Sequence, residues 1–466
     1  MFFAWLLAIG LATVSSAHSS DELDCTGING IRPQCESKES SYKRDVFWVG
    51  GHYVNAAIGL LTYDQMYVEK LTPHKGIKKP YPLVLFHGGG VSGATWLNTP
   101  DNRKGFASMF LDRGYQVYVV DQTSVGRGSQ ADLTGYPLRI GSTANISEVG
   151  FTAPEIANAY PQSQNHTQWP GTGLRGDPIF DAFESGFIPL TNNNTRQEIS
   201  MRAAGCKLLQ LIGPSFLISH SIGAIHPIVI SDECPDLVLG NVNIEPGNIP
   251  FESYTGNATS SVGRTAARPF GLTVHNLNYY PPISESTELI TETVGEDTPA
   301  KKVPYVAFTG EASPHITYEH CVIQYLEQVG VNATWIKMAD VGVHGNAHFG
   351  FLEKNNVQYF KVVEKWIKKA ANGISSNNSR RQFDERKPPS STSSTGMAKI
   401  HTNCEDFVHE LRSGRYQNIT QAVPILPRPT NLSKQLTNFK ATRKPSYNSE
   451  MEPEFGRRGI LWQRGS

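Results

Sequence analysis

The sequence predicts an α/β fold built on a doubly wound, mostly parallel sheet with helices on both faces. Two observations carry this prediction. Short and almost wholly apolar runs, such as residues 82–86 and 303–308, alternate with longer segments of helical periodicity. Strands buried on both faces are continuously apolar, whereas half-exposed strands alternate polar and apolar residues. The alternation of strand and helix therefore indicates one α/β domain.

The elements follow in a regular order. Aromatic and β-branched residues at 45–54 and 61–68 predict a hairpin at the start of the domain. A strand at 82–86 leads through a helix near 105–113 to a strand at 115–120. The later predicted elements are helices at 196–211, 222–230, 318–329 and 355–370, and strands at 215–218, 237–244, 303–308 and 333–337.

Two irregular stretches interrupt this rhythm, at about 123–195 and 247–300. Long segments without regular structure are uncommon in compact domains unless they form lids or binding loops. We therefore interpret both as lid-like insertions into a single domain of residues 18–372. From 373 to 466 the composition becomes rich in Ser, Asn, Pro and charged residues, which predicts a disordered, low-complexity tail.

The charge distribution and the targeting signals limit which partners and which location we expect for the protein. The chain has 42 basic and 42 acidic residues, and its basic surplus lies in residues 371–466, with 15 Lys or Arg against 8 Asp or Glu. Because that segment is predicted to be unfolded, we do not expect a nucleic-acid partner. Residues 1–17 are apolar and end in Ser-Ser-Ala, which predicts a secretory signal peptide and a secreted protein without a membrane span. The oligomeric state is left open.

Six cysteines and many sugar acceptors fit export. We expect a disulfide between Cys25 and Cys35 and regard one between Cys206 and Cys234 as plausible. Acceptor sequences for N-linked glycans begin at Asn145, Asn165, Asn193, Asn257, Asn332, Asn377, Asn418 and Asn431. The chain has no Cys-x-x-Cys motif, and no His-x-x-x-His helix suggests zinc, so neither a metal nor a cofactor is predicted.

Ser221 is the candidate nucleophile. It is the central residue of Ser219-His-Ser-Ile-Gly223, between an apolar strand and an apolar helix. A sharp strand-to-helix turn there would raise the hydroxyl above the carboxyl edge of the sheet, beside the positive end of the helix. Ser219 stands where such turns usually carry glycine, a change that is tolerable if its backbone avoids positive φ.

The turn His87-Gly-Gly-Gly90 follows the strand at 82–86 and can supply backbone N–H donors to a substrate bound at Ser221. Attack on an ester turns the carbonyl oxygen into an anion, which requires prepositioned N–H donors. The backbone amide of Ile222, directly after the serine, is one candidate, and that of Gly89 is the other. One such donor lowers the barrier by about 3 kcal/mol in comparable sites.

The candidate base lies in the loop 341–348, between the last strand and the last helix. This loop contains His344 and His348, and either imidazole could lie over the sheet edge within hydrogen-bonding distance of Ser221. We favour His348, partly on the resemblance described below, with His344 as the alternative.

A carboxylate must orient the base, and two positions qualify. Glu245 ends the strand that follows the candidate elbow helix, and Glu311 follows the strand at 303–308. Both keep the chain order serine, acid, histidine, so order alone does not choose between them. We favour Glu245, with Glu311 as the alternative.

In combination, these motifs resemble the α/β-hydrolase superfamily, and within it a subgroup of bacterial and fungal esterases. The resemblance covers roughly residues 81–367. The matching segments are Leu85-Phe-His-Gly88, Thr95-Trp96, Thr99-Pro-Asp101, Val120-Asp-Gln122, Ser219-His-Ser221, Glu245-Pro-Gly247 and Gly345-Asn-Ala-His348. The bacterial members carry a cysteine pair where this chain has Gly89-Gly90, and the long insertions also differ.

The resemblance implies an α/β-hydrolase fold and a carboxylic ester hydrolase acting on small-molecule esters. It implies Ser221 as nucleophile, His348 as base and Glu245 as acid, with the amides of Gly89 and Ile222 as oxyanion donors. Two alternatives remain at this stage. One is an acyltransferase, lactonase or amidase that uses the same site, and the other is a non-catalytic secreted binding protein on a hydrolase scaffold.

Overall fold

The computed structural model describes residues 23–129, 133–247, 249–254, 264–278 and 302–384. The strands in this part of the chain are β1 (Tyr42–Ala56), β2 (Gly59–Pro73), β3 (Leu83–Phe86), β4 (Val117–Asp121), β5 (Leu138–Arg139), β6 (Leu190–Thr191), β7 (Ser215–His220), β8 (Val238–Ile244), β9 (Glu252–Tyr254), β10 (Arg264–Ala266), β11 (Tyr305–Thr309) and β12 (Ala333–Lys337).

Eight of these strands form one sheet in the order β1-β2-β4-β3-β7-β8-β11-β12. The hairpin of β1 and β2 pairs antiparallel with itself and with β4, and the remaining neighbours are all parallel. The predicted fold class, a mostly parallel sheet with an edge hairpin, is confirmed. The carboxyl ends of β3, β7, β8 and β11 therefore lie along one edge of the sheet, where ligands bind in open α/β folds.

The helices are α1 (Phe106–Asp112), α2 (Ala144–Ser147), α3 (Pro178–Glu184), α4 (Asn194–Ile212), α5 (Ile225–Glu233), α6 (Glu319–Gln328) and α7 (Asn356–Asp384). The last of them corrects the sequence analysis, which ended this helix at residue 370 and began an irregular tail at 373. Extending an existing helix gains a hydrogen bond for each residue fixed, so a polar composition that would not nucleate a helix can continue one. Residues 385–466 lie outside the described part of the chain.

The core occupies both faces of the sheet. In β3, Leu83 and Leu85 belong to one buried cluster with residues of α1 and α7, whereas Val84 and Phe86 belong to another with residues of α4. Successive side chains of a strand point to opposite faces, so a strand covered on both sides must be apolar throughout. Burying each of these side chains contributes roughly 1.5–3 kcal/mol. This packing holds the sheet edge rigidly.

The first insertion carries short elements and packs closely on the sheet. Trp169 and Phe183 are buried and belong to the same cluster as α1 and α7, and Phe187 packs against it. Packing on the sheet therefore accounts for these aromatic residues. In the second insertion β9 and β10 pair antiparallel, while residues 255–263 and 279–301 lie outside the described residues.

Both expected disulfides are present. Cys25 is bonded to Cys35, and Cys206 in α4 is bonded to Cys234, directly after α5. Cys404 and the apolar segment 1–17 lie outside the described residues. Within the described ranges, every helix is too short or too polar to span a bilayer.

Candidate active site

Ser221 occupies a strained turn between β7 and α5. Its φ is +54°, a left-handed conformation that costs a non-glycine residue on the order of 1–3 kcal/mol. The turn is closed by small neighbours, because a methyl group on Gly223 would lie 2.1 Å from the carbonyl oxygen of His87 and one on Gly88 would lie 3.1 Å from Ser221 Cβ. Ser219 has no positive φ, so it meets the condition that the sequence set for it.

His348 lies directly against this serine. Its Nε2 is 2.9 Å from Ser221 Oγ, and the residue is buried. Burial lowers the pKa of His348 well below its ordinary value, and the neighbouring His315 and His220 lower it further. The imidazole is therefore neutral near pH 7, and its Nε2 can accept the serine proton.

Glu245 lies beside this histidine at the carboxyl end of β8, also at a positive φ of +51°. One side-chain atom from each of Glu245, His315 and His348 lies within 4.8 Å of the others. Among the described residues, His348 Nδ1 has no hydrogen-bond partner, which leaves it available to the carboxylate. Burial raises the pKa of Glu245 well above its usual range, while hydrogen bonds from Ser313 Oγ and the Gly310 amide oppose that rise.

Carboxylates and imidazoles are common ligands of transition metals, so the existing partners of these three side chains matter. The Glu245 carboxylate already accepts two hydrogen bonds, and His315 Nδ1 donates to the carbonyl oxygen of Pro246 over 3.0 Å. His348 Nε2 contacts Ser221. The Glu245 carboxylate, the His315 ring and the His348 ring therefore each have a hydrogen-bond partner of their own in the protein.

The two alternative residues pair with each other instead. His344 Nδ1 lies 3.2 Å from Glu311 Oε2, and the same carboxylate accepts a hydrogen bond from the Gly345 amide. The His344 side chain is exposed, and within the described ranges neither alternative hydrogen-bonds to Ser221. This pair fastens the loop that leads to His348.

The proposed oxyanion donors lie next to each other. A methyl group on Gly89 would lie 2.8 Å from Ile222 Cγ2, so the glycine turn packs directly on the residue after the nucleophile. Gly247 borders the same space, since a methyl group there would lie 2.9 Å from the Ile222 amide nitrogen and 3.3 Å from Ser221 Oγ. The sequence identified Gly247 only as part of a motif, and the structure shows that its missing side chain leaves room above the serine.

Other neighbours of His348 were missed from the sequence. His315 follows β11, and its ring centre is 4.7 Å from that of His348. Phe151, from the first insertion, stacks on His348 with 5.1 Å between ring centres and 24° between planes. His315 could have been found, because it follows a parallel strand at the active edge, but no local pattern marks Phe151.

A serine at a strained elbow, contacted by a histidine beside a buried glutamate at this edge of the sheet, is typical of the α/β-hydrolase class. The chain is 38% identical over 344 residues to a probable secreted lipase, phiG, from a fungus (Fungal sp., strain ATCC 74256). That match covers 69% of this chain and 89% of the relative. The protein belongs to the same family, within the α/β-hydrolase superfamily, as the motifs had indicated.

Solved structures with similar folds include two esterases. A novel bacterial esterase is 22% identical, with a TM-score of 0.47, over 73% of this chain and all of that one. Naproxen esterase (carboxylesterase NP) from Bacillus subtilis is 12% identical, with a TM-score of 0.33, over 70% of this chain and 93% of that one. No protein-family model matches the chain.

Proposed function

We propose that the protein is a secreted serine hydrolase that cleaves carboxylic esters, with Ser221 as nucleophile, His348 as base and Glu245 as acid. The observation that carries the proposal is the 2.9 Å contact between Ser221 Oγ and His348 Nε2 at an elbow of positive φ. The name of the fungal relative, a probable secreted lipase, supports ester hydrolysis and export.

Acylation follows from this contact. Ser221 Oγ attacks the ester carbonyl carbon while its proton passes to His348 Nε2, and the carbonyl oxygen becomes an anion. The amides of Ile222 and Gly89 stabilise that anion, and Glu245 stabilises the imidazolium. The tetrahedral intermediate then collapses, and the alcohol leaves with the proton from His348.

Deacylation repeats the sequence with water. His348 takes a proton from a water molecule, the hydroxide adds to the acyl carbon, and Ser221 Oγ leaves with the returned proton as the carboxylic acid is released. The residues of this site are sufficient for both steps. Release to water, and not to a second alcohol, is the part of the proposal that distinguishes a hydrolase from an acyltransferase.

A cavity of about 110 Å³ borders the site between the two insertions. Ile222, Leu190 and Ile225 contribute apolar walls, most of the other lining side chains are polar or charged, and neither Ser221 nor His348 lines the cavity. The leaving alcohol must lie near His348, which protonates it, so we place the acyl group on the Ile222 side, towards this cavity. Drug-sized ligand pockets are several times larger, so we expect short acyl chains.

The central experiment uses the full secreted chain and a series of p-nitrophenyl esters. We expect hydrolysis of acetate and butyrate esters, a fluorophosphonate adduct on Ser221 by mass spectrometry, and loss of both in Ser221→Ala. Unchanged hydrolysis by Ser221→Ala would remove Ser221 from the mechanism. Product analysis with added methanol distinguishes transfer to an alcohol from transfer to water, and a matched amide and lactone test the other bonds.

The domain division and export are part of the same proposal. Residues 1–17 act as a removable leader, residues 18–372 form the hydrolase domain, and the rest of the chain to residue 466 is a low-complexity tail whose first residues continue α7 to Asp384. The two disulfides support passage through an oxidising compartment. Amino-terminal sequencing of the protein collected from the medium tests this, with His18 expected as the first residue.

A further inference from the structure

A buried chain of three ionisable side chains links the first insertion to the loop after β12. His166 Nδ1 lies 2.6 Å from Glu155 Oε2, and His166 Nε2 lies 3.0 Å from Glu353 Oε1. The side chains of His166 and Glu353 are 1% and 0% exposed, while that of Glu155 is 30% exposed. A histidine between two carboxylates in this arrangement donates to both, which requires its charged form.

Glu353 also holds the backbone next to the proposed base. Its Oε1 accepts a hydrogen bond from the amide of Ala347, the residue before His348, over 3.1 Å. Its Oε2 accepts one from the side chain of Asn346 over 2.6 Å. A single buried carboxylate therefore connects His166 of the insertion to the two residues that precede His348.

Backbone contacts run alongside this chain of side chains. The Thr167 amide donates to the carbonyl oxygen of Gly345 over 3.0 Å, and the Lys354 amide donates to that of Gln168 over 2.8 Å. Phe151 of the same insertion covers one face of the His348 ring. The first insertion thus contacts the His348 ring, the residues that precede His348 and the segment that follows it.

The charge of His166 is set by its two partners. Burial by itself lowers the pKa of His166, but hydrogen bonds and charges from Glu155 and Glu353 outweigh it and raise the pKa to about 9. The imidazolium compensates the buried Glu353 carboxylate, and an uncompensated buried charge is strongly unfavourable. When His166 loses its proton, one of its two hydrogen bonds to carboxylate must also be lost.

We propose that Glu155, His166 and Glu353 form a clamp through which the first insertion positions the loop that carries His348. The clamp rests on the proposed function, in which His348 is the base. His166 acts through Glu353 and touches no substrate, so it is a positioning residue. The clamp is closed while His166 is protonated and loosens as the pH rises through the pKa of His166.

Other titratable groups surround the clamp on several elements. They are Tyr160 of the insertion, Glu245 at the end of β8, Glu311 and His344 in the loops that contact Gly345, Lys354 after Glu353, and Tyr359 of α7. Burial raises the pKa of Tyr160 beyond the working range, so it stays neutral. Glu155 and Glu353 are the groups that hydrogen-bond to His166, so a change at Glu155 acts on His166 first.

The test uses Glu155→Gln, because Glu353 is fully buried and its replacement endangers folding. Glutamine keeps an acceptor for His166 Nδ1 but removes one of the two negative charges. Glu148→Gln is the matched control, since Glu148 lies in the same insertion and pairs with Arg175 instead. The readouts are kcat and KM for a short p-nitrophenyl ester between pH 6 and pH 10.5, together with thermal unfolding at each pH.

We expect kcat of the wild type to decline at alkaline pH with a midpoint near 9. In Glu155→Gln this midpoint should move down by about one pH unit or more, because one neighbouring carboxylate is lost, while KM changes less than about twofold. Glu148→Gln should follow the wild type. The unfolding temperature of Glu155→Gln should fall below that of the wild type at pH 7, and the difference should close above pH 9.

Two results would overturn the proposals separately. If the wild type hydrolyses esters and Ser221 is labelled, but the alkaline limb of Glu155→Gln coincides with that of the wild type, the clamp is wrong and the proposed function stands. If Ser221 is not labelled and no ester is hydrolysed, the proposed function fails and the catalytic role of the clamp fails with it.

Discussion

His220 donates a hydrogen bond from Nε2 to the backbone carbonyl oxygen of His348 over 3.0 Å. The residue immediately before Ser221 therefore holds the backbone of the histidine that contacts Ser221. Burial lowers the pKa of His220 to about 3, so its ring is neutral and carries its single N–H at Nε2. The ring packs closely on Gly88, because a methyl group on that glycine would lie only 2.6 Å from the other ring nitrogen.

This hydrogen bond predicts different outcomes for two substitutions of His220. Glutamine can present an amide N–H near the position of Nε2, whereas leucine leaves the buried His348 carbonyl unsatisfied, at about 1–3 kcal/mol. We expect kcat to fall about tenfold in His220→Leu and less than about threefold in His220→Gln. Steady-state kinetics at pH 8 measure both. Equal losses in the two variants would show that the donor is not what matters at this position.

The choice of acid predicts an asymmetry between two glutamates. Glu245 lies with His348, whereas Glu311 pairs with His344 at the surface. We expect Glu245→Gln to lower kcat by about 10³-fold or more, because the charged form of His348 loses its carboxylate. Glu311→Gln should lower it less than about threefold. If the larger loss followed Glu311→Gln, the acid role would pass to Glu311.

The fall of activity at acidic pH reports the pKa of the proposed base, His348. His348 works in its neutral form, and burial lowers its pKa well below 6.5. Activity should therefore persist as the pH falls through 6.5, and kcat/KM should decline only at lower pH. A profile of kcat/KM from pH 4 to pH 8 measures this midpoint. A midpoint at or above 6.5 would contradict a buried, neutral base.

Gly247 predicts a steric effect on the oxyanion site. A methyl group there would lie 2.9 Å from the Ile222 amide nitrogen, close to where the substrate oxygen must bind. We expect Gly247→Ala to lower kcat by about 100-fold, as when one oxyanion donor is lost. Gly150→Ala is the control, since no atom lies within 4 Å of a methyl group at that position. Full activity in Gly247→Ala would place the oxyanion elsewhere.

Export predicts glycans at some acceptors and not at Asn193. Asn145, Asn165 and Asn332 are exposed. Asn193 Oδ1 accepts a hydrogen bond from the Arg196 amide and its Nδ2 donates to the Gly135 carbonyl, so the atom that would carry the sugar is engaged in capping α4. Peptide mass spectrometry after enzymatic deglycosylation in heavy-oxygen water should mark the three exposed sites and leave Asn193 unmarked. A glycan on Asn193 would mean that modification precedes formation of this cap.

Much of the fold was predictable because its signals are local. A strand covered on both faces is apolar at nearly every position, so β3 and β11 can be recognised from a few residues each. The turn at Ser221 can also be recognised from the sequence, since it needs small neighbouring residues and a strand-to-helix junction. The end of α7 was predicted too early, because the propensity of single residues does not describe the continuation of a helix that already exists.

The sequence by itself determined the sheet, the strand-to-helix turn of Ser221, the glycine turn opposite and a short list of partners for the serine. It left two histidines and two glutamates open, because all four lie in suitable loops and chain order fits every combination. Only the tertiary structure brought His348 to Ser221 and Glu245 to His348, and paired His344 with Glu311. It alone placed the insertion residues Phe151 and His166 around the base, because such contacts join segments nearly two hundred residues apart and leave no local pattern.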